Sequence, residues 1–228
     1  SVSVSGLDSF LRIIQQPPTP VELLREGLRL NGMSILHQDC RHFVLDCSVT
    51  SATGTAVETG EADPATGLAP VSYMVAGLPT SRVAQISEAF GRNRTPAVSL
   101  QVAPVATFNA FDYAYHDICA NEAFVLLDIG HLESTVLVGC RREVVLVRMI
   151  DFGGDTLAQA RAGEGAVDRY TAITLLQQGD AGLVPVLTEA VSGLAREVTA
   201  SIGFFEGQRD EAIRRIFVSG GPAGTDML

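Results

Sequence analysis

The sequence predicts a mixed α/β fold on the basis of three observations. Short apolar strands alternate with amphipathic helices from residue 9 to residue 119. Three more apolar strands then follow one another with only tight polar turns between them. A long amphipathic helix and a last strand that runs into a Gly-Gly turn complete the chain. With 228 residues, of which 46% are hydrophobic, the chain is large enough for one or two well-packed domains.

Four strands and three helices are predicted in the first half of the chain. The strands cover residues 9–15, 42–49, 71–79 and 99–104. Thr19 and Pro20 predict the start of the first helix, as its N-cap and first residue, and Asn31-Gly32 predicts its end. The other two helices cover residues 81–93 and 105–119. On the last helix Phe108, Phe111 and Tyr115 form an aromatic stripe, which is typical of a core face.

The second half begins with a predicted antiparallel meander of three strands buried on both faces. Its strands read FVLLDIG, STVLVGC and EVVLVRMI, and its turns read HLE and RR. Gly153-Gly154 then ends the third strand, and a helical stretch follows it. A long helix runs roughly from Val184 to Phe205. The last strand starts at residue 213. Residues 50–70, rich in Gly, Ala, Thr and acids, predict an exposed hairpin or loop.

The charge of the chain excludes several classes of function. A net charge of −10 and a pI near 4.8 argue against broad nucleic-acid binding, which needs basic side chains to displace counterions. None of the 16 basic residues is a lysine, so this chain supplies neither a phosphate-loop lysine nor a Schiff-base lysine.

No run of eighteen apolar residues and no signal peptide occurs in the sequence. The opening SVSVS lacks a Met, and we expect the chain to be part of a longer protein.

One cluster of metal-ligating residue types occurs near the start of the chain. His37, Cys40, His42 and Cys47 lie within eleven residues, but their spacing matches no familiar zinc pattern. His42 and Cys47 also flank a predicted strand, which would separate them. We therefore favour surface imidazoles and buried, reduced thiols for these four residues.

The sequence Asp128-Ile129-Gly130 ends the first strand of the meander and has two interpretations. A carboxylate at a strand end can hold a hydrated Mg²⁺, and Gly130 can bring backbone N–H groups close to phosphate oxygens. Ser134 and Thr135 would add hydroxyl donors. The alternative is an ordinary turn aspartate, which is the commoner case for an isolated D-x-G.

Two glycine pairs strengthen the first interpretation because they also follow strands. Gly153-Gly154 ends the third meander strand, and Gly220-Gly221 ends the last strand of the chain. A glycine at a strand end lets a ligand lie against the backbone, and strand ends are the usual ligand sites of α/β folds. A tight turn before a helix is the alternative for Gly220-Gly221.

The order of these motifs resembles the actin-like ATPase superfamily, most closely its PilM family of type IV pilus assembly proteins, with FtsA as a relative. The resemblance rests on LLDIGHLESTVLVGCRREVVLVRMIDFGG, REVTASIGFFEG and IFVSGGPAG, and on the N-terminal strand-Pro-helix pattern. It implies an actin-like, ribonuclease H-like ATPase fold with an insert subdomain of the FtsA and PilM type. It also implies three parts: 1–98 (end of the first subdomain plus the α+β insert), 99–121 (returning strand and crossover helix) and 122–228 (second subdomain).

The resemblance further implies ATP and Mg²⁺ as cofactors and assigns roles by position. Asp128 would hold Mg²⁺ through water, and Gly130, Ser134 and Thr135 would line the phosphates. Gly153 and Gly154 would border the nucleotide. Glu197 would face the ribose or base, and Gly220 and Gly221 would pack on adenine. The family's first phosphate loop would precede Ser1, so we expect this chain alone to bind ATP weakly or not at all.

The implied function is that of a cytoplasmic nucleotide-binding scaffold of type IV pilus or type II secretion assembly. In the family, a groove beside the insert subdomain receives a short cytosolic segment of an inner-membrane partner, PilN in pilus systems; self-association stays open. One alternative is a small-molecule kinase or phosphatase of the same superfold, which needs a general base; Glu133 and Asp151 are the nearby acids. Another is a degenerate scaffold that has lost its nucleotide.

Overall fold

The computed structural model describes residues 1–5, 9–50, 69–163, 168, 171, 174 and 184–221. The predicted loop over 50–70 therefore lies almost entirely outside the described residues. The chain divides into two compact units, Ser1–Ala114 (unit 1) and Tyr115–Leu228 (unit 2). The three-part division implied by the family resemblance stays a prediction. None of the helices that the structure describes combines the length and the hydropathy that a membrane span requires.

Nine strands and six helices are named here in chain order. The strands are β1 (Val2–Val4), β2 (Phe10–Gln16), β3 (Phe43–Val49), β4 (Val71–Pro79), β5 (Leu100–Val102), β6 (Ala123–Ile129), β7 (Ser134–Cys140), β8 (Glu143–Ile150) and β9 (Arg215–Gly220). The helices are α1 (Val21–Leu36), α2 (Thr80–Arg92), α3 (Ala103–Ala114), α4 (His116–Asn121), α5 (Gly154–Gly163) and α6 (Val184–Gln208). The mixed α/β class predicted from the sequence is confirmed.

Unit 1 contains an antiparallel sheet of three strands in the order β2-β4-β3 and a short parallel pair, β1 and β5. Helix α1 covers one face of the three-stranded sheet, because Leu24 and Leu28 are buried against Leu45, Tyr73 and other residues of that face. Burial of this apolar stripe holds the helix on the sheet.

Helix α1 does not end at Asn31-Gly32 as predicted. Asn31 has non-helical backbone angles (φ −119°, ψ 21°), yet the helix continues to Leu36, and His37 (φ 54°) terminates it. The physical reason is packing: a Cβ on Gly32 would lie 2.6 Å from Cys40 Sγ, so this glycine fits a close contact and does not stop the helix. The predicted N-cap is also wrong, since Pro20 stands at the N-cap position and no side chain of the described residues accepts a hydrogen bond from the first turn; the Thr19 hydroxyl donates to the Pro17 carbonyl.

The predicted helix over 105–119 is two helices, α3 and α4. Tyr115 breaks the pattern with φ −128° and ψ 47°, which are not helical angles. Phe108 and Phe111 are buried as predicted, whereas the Tyr115 side chain is half exposed, so the aromatic stripe ends at Phe111.

Unit 2 is built on a sheet of four strands in the order β8-β7-β6-β9. The predicted meander is confirmed: β6, β7 and β8 pair antiparallel in sequence, and β9 returns parallel to β6. One face of this sheet forms a core with α5 and α6, in which Val125, Val136 and Phe205 are buried. The prediction of burial on both faces holds for β6 and β7 but is wrong for β8, an edge strand with mostly half-buried side chains.

The turn between β7 and β8 consists of Arg141 and Arg142, which both have positive φ (51° and 64°). Two-residue hairpins of this kind favour Asn-Gly or Gly-Gly, because a side chain makes positive φ unfavourable. The Arg142 amide also donates to the Cys119 carbonyl at 2.6 Å, which fastens the turn to α4. The hairpin therefore holds two arginines in a conformation that suits glycine better.

Arg142→Gly is expected to stabilise the chain by about 0.5–1 kcal/mol, because relief of the positive φ exceeds the extra freedom of glycine in the unfolded state. Urea unfolding followed by circular dichroism measures the difference. Arg214→Gly, where φ is negative, is the control and should not stabilise the chain. An Arg142→Gly variant no more stable than the wild type would contradict this account of the turn.

Candidate nucleotide-binding edge of the unit 2 sheet

Asp128 lies at the carboxyl end of β6, between Thr135 on β7 and Ser219 on β9. Residues directly opposite one another on neighbouring strands direct their side chains to the same face, so these three form a row across the sheet. The Ser219 hydroxyl donates to Asp128 Oδ1 at 2.8 Å. Asp128 is partly exposed, and the hydrogen bond fixes its carboxylate in one orientation.

Ser219 was not among the residues assigned to the site from the sequence. The signal that could have found it is the register of the last strand, since a parallel β9 whose glycine turn matches the end of β6 places Ser219 beside Asp128. Strand pairing, however, is a long-range property that a single sequence does not display directly. The structure thus adds a group that positions the candidate metal ligand.

Ser134 and Thr135 were assigned together to the phosphates, but they lie on opposite faces of β7. Thr135 shares the face of Asp128, whereas Ser134 is fully buried on the helix side. The Ser134 hydroxyl donates to the Phe152 carbonyl at 2.6 Å. Of the two hydroxyl groups, only that of Thr135 lies in the row with Asp128.

The turn after β6 packs against Gly153-Gly154 by backbone hydrogen bonds. The Gly130 amide donates to the Glu133 carbonyl at 3.0 Å, and the Gly154 amide donates to the Gly130 carbonyl at 2.9 Å. The Gly153 amide donates to Thr156 Oγ1 at 3.2 Å. These N–H groups already have acceptors within the chain, so in this conformation of the turn they are not available to donate hydrogen bonds to phosphate oxygens.

Three of the assigned glycines are required by the packing of the backbone itself. A Cβ on Gly130 would lie 2.7 Å from the Glu133 carbonyl oxygen. A Cβ on Gly153 would lie 2.4 Å from the His131 carbonyl oxygen. Gly220 has φ +103°, and its Cβ would lie 2.0 Å from the Ile129 carbonyl oxygen. Gly221 differs, because a Cβ there would meet no described atom within 4 Å. Open space beside the backbone makes Gly221 the glycine that fits a flat ligand group.

Glu197 lies on the other face of the sheet from the Asp128 side chain. Its Oε2 is 3.4 Å from Nη1 of Arg148, which β8 places opposite Val136 on the face that packs against α6. The structure therefore does not bring Glu197 and Asp128 together. Of the two acids considered as general bases, Asp151 is exposed and Glu133 is half-buried; their role stays a prediction.

The residues of this edge fit a hydrated Mg²⁺ and a nucleotide only in part. Asp128 offers a second oxygen, Oδ2, that has no hydrogen bond within the described part of the chain, and a carboxylate with an oriented partner suits a hard cation. Thr135 lies opposite Asp128 on β7, and Gly221 follows the end of β9, two residues after Ser219. The amides of the Gly153-Gly154 turn and the Ser134 hydroxyl do not fit, because protein groups occupy them.

The N-terminal Cys and His residues do not form a comparable site. Within the ranges that the structure describes, no group of three or more His, Cys, Asp or Glu side chains could hold a metal ion. Cys40 and Cys47 are buried, as expected for structural thiols. Burial, with a smaller effect of Asp46, raises the pKa of Cys47 to about 11, so this thiol stays protonated at neutral pH.

Comparison with known proteins gives structural matches only. No family model matches the chain, and no curated protein matches its sequence. A solved PilM-PilN type IV pilus biogenesis complex matches with a TM-score of 0.76 and 22% identity, over 97% of this chain and 62% of the other. MreB5 of Spiroplasma citri bound to ADP matches with a TM-score of 0.47 and 15% identity, over 64% of this chain and 54% of the other.

The chain has, over nearly its whole length, the fold of the matched chain of the PilM-PilN complex, which confirms the resemblance at the level of fold. It spans about three fifths of the length of that chain.

Gly220→Ala and Gly221→Ala are expected to differ sharply in stability. Alanine at position 220 meets both positive φ and a backbone carbonyl, and we expect a loss of at least about 2 kcal/mol in the free energy of unfolding. Alanine at position 221 meets open space, and we expect a change below about 0.5 kcal/mol. Thermal and urea unfolding of the two variants measure both values, and equal effects would show that the Gly220 contact is absent in solution.

Proposed function

We propose that the chain is an actin-like scaffold of PilM type, which docks a cytosolic segment of a PilN-like inner-membrane protein during assembly of a type IV pilus or a related type II secretion system. The fold supports this proposal, because the matched structure is a PilM-PilN complex. By the same proposal the chain is cytoplasmic and reaches the inner membrane through its partner.

The observation that carries the proposal is a groove in unit 1, on the face of the β2-β4-β3 sheet that α1 does not cover. Its volume is about 530 Å³. The strands β3 and β4 form one side, and β5 and the start of α3 form the other. The apolar lining includes Val44, Met74, Ala76, Leu78, Val102 and Val105.

The lining of this groove suits a peptide better than a phosphate-bearing ligand. Among the described residues of the lining, Arg25 is the one basic side chain, and its Nη1 already lies 3.5 Å from Asp46 Oδ1. The groove also runs beside β3, an edge strand of the sheet. Extended segments bind such places by placing apolar side chains in the groove and pairing their backbone with the edge strand.

The proposal includes nucleotide binding by the full-length protein at the sheet edge of unit 2. Asp128 would hold Mg²⁺ through water with its carboxylate oriented by Ser219, Thr135 would approach the phosphates, and Gly221 would lie against the base. When bound, Mg²⁺ would supply neutralisation of phosphate charge. A nucleotide held in this way would act by shifting the balance between conformations, with little need for turnover.

Ala76→Arg is expected to weaken binding of the partner segment at least about tenfold, because a long charged side chain would fill the apolar groove. Fluorescence anisotropy with a labelled peptide, taken from the cytosolic segment of the PilN-like protein of the same organism, measures the affinity. The control is Gln15→Arg, which adds the same charge at an exposed position of β2 outside the groove.

Equal affinities of the Ala76→Arg variant and the wild type would show that the peptide does not bind in the groove. A wild-type chain that does not bind the peptide at all would contradict the proposed PilN-like partner. Circular dichroism spectra like that of the wild type are required of both variants, so that a loss of affinity is not a loss of fold.

A further inference from the structure

The outer face of α1 carries large apolar side chains that nothing in the described chain covers. Leu23 is 60% exposed and Leu30 is 83% exposed. Residues seven apart lie almost on one line along a helix, so these two leucines mark one stripe two turns long. The stripe lies on the straight part of α1, before the irregular residue Asn31.

Gly27 lies between the two leucines and has no structural purpose within the described chain. A Cβ at this position would meet no atom within 4 Å. Glycine in the middle of a helix costs about 1 kcal/mol relative to alanine. A glycine at the centre of an exposed apolar stripe therefore leaves room for another surface to approach the helix backbone closely at this point.

One flank of the stripe carries charges of both signs. Glu22, Glu26 and Arg29 are all exposed, and none of them forms an ion pair within the described ranges of the chain. Their order along the helix is acid, acid, base. The pattern suits a partner that presents the same order in the opposite direction.

We propose that this face of α1 binds α1 of a second copy of the chain, antiparallel and related by a two-fold axis. Placing Leu23 of one copy against Leu30 of the other covers the exposed side chains of both leucines in both copies. The axis then passes within half a residue of Gly27, so the two glycines face one another and the helices can approach closely. This inference does not depend on the proposed partner of the groove.

The same alignment brings opposite charges together without further adjustment. It places Arg29 of one copy opposite position 24 of the other, midway between Glu22 and Glu26 of that copy. In antiparallel helix pairs, residues on the same flank of the two helices meet. Each copy thus contributes one base and two acids to reciprocal contacts.

The size of the surface sets the strength of association. Two turns of helix from each copy give an interface smaller than the roughly 1,200 Å² that stable complexes bury. We therefore expect a weak, concentration-dependent dimer, with a dissociation constant between about 10 μM and about 1 mM.

Sedimentation equilibrium of the chain over this concentration range tests the proposal. Leu30→Arg is expected to weaken dimerisation at least about tenfold. Val98→Arg is the control, because Val98 is 91% exposed in unit 1 but lies outside α1. A wild-type chain that stays monomeric over the whole range, or a Leu30→Arg chain that associates like the wild type, overturns the proposal.

Charge reversal tests the antiparallel register. Arg29→Glu and the double variant Glu22→Arg/Glu26→Arg should each lose dimerisation about tenfold, and an equimolar mixture of the two should recover it to within about threefold of the wild type. A mixture that associates no more tightly than its components overturns the register.

Gly27→Ala should raise the thermal midpoint through helix propensity while it weakens association. Unchanged association would overturn the close approach of the two helices at Gly27.

Discussion

Three glycines of unit 2 lie in tightly packed backbone at the carboxyl end of β6. Gly130, Gly153 and Gly220 lie against neighbouring carbonyl groups at distances that leave no room for a Cβ. Since backbone groups in such a place must be paired, these contacts fix the turn after β6, the start of α5 and the end of β9 together. The packing of the backbone therefore accounts for these glycines. Asp128, which Ser219 orients by a hydrogen bond, is the group at this end of the sheet that is available to a ligand.

The three-stranded sheet of unit 1 lies between the two proposed interaction surfaces. Helix α1 covers one face of that sheet, and its own outer stripe is the proposed contact between copies. The proposed peptide groove lies on the other face, beside β3 and β4. A segment in the groove and a second copy on α1 would thus not compete for the same side chains.

Much of the fold could be predicted because local patterns agree with it. The D-x-G turn, the Arg-Arg turn and the apolar strands between them define the meander almost to the residue. What the sequence could not show depends on contacts between distant segments. Gly32 reads as a helix end but packs on Cys40, and Ser134 reads as a phosphate donor but is buried against Phe152. Which helix face carries Glu197 is likewise set by packing.

We propose that Asp128, oriented by Ser219, holds through water the Mg²⁺ that accompanies a bound nucleotide. Titration calorimetry of the full-length protein with Mg·ATP tests it most directly, with Asp128→Asn as the variant. Asparagine can still accept the hydrogen bond from Ser219, so the thermal midpoint should change little while the metal-binding charge is lost. We predict affinity for Mg·ATP at least about tenfold lower in the variant; equal affinity in the two proteins would contradict the claim.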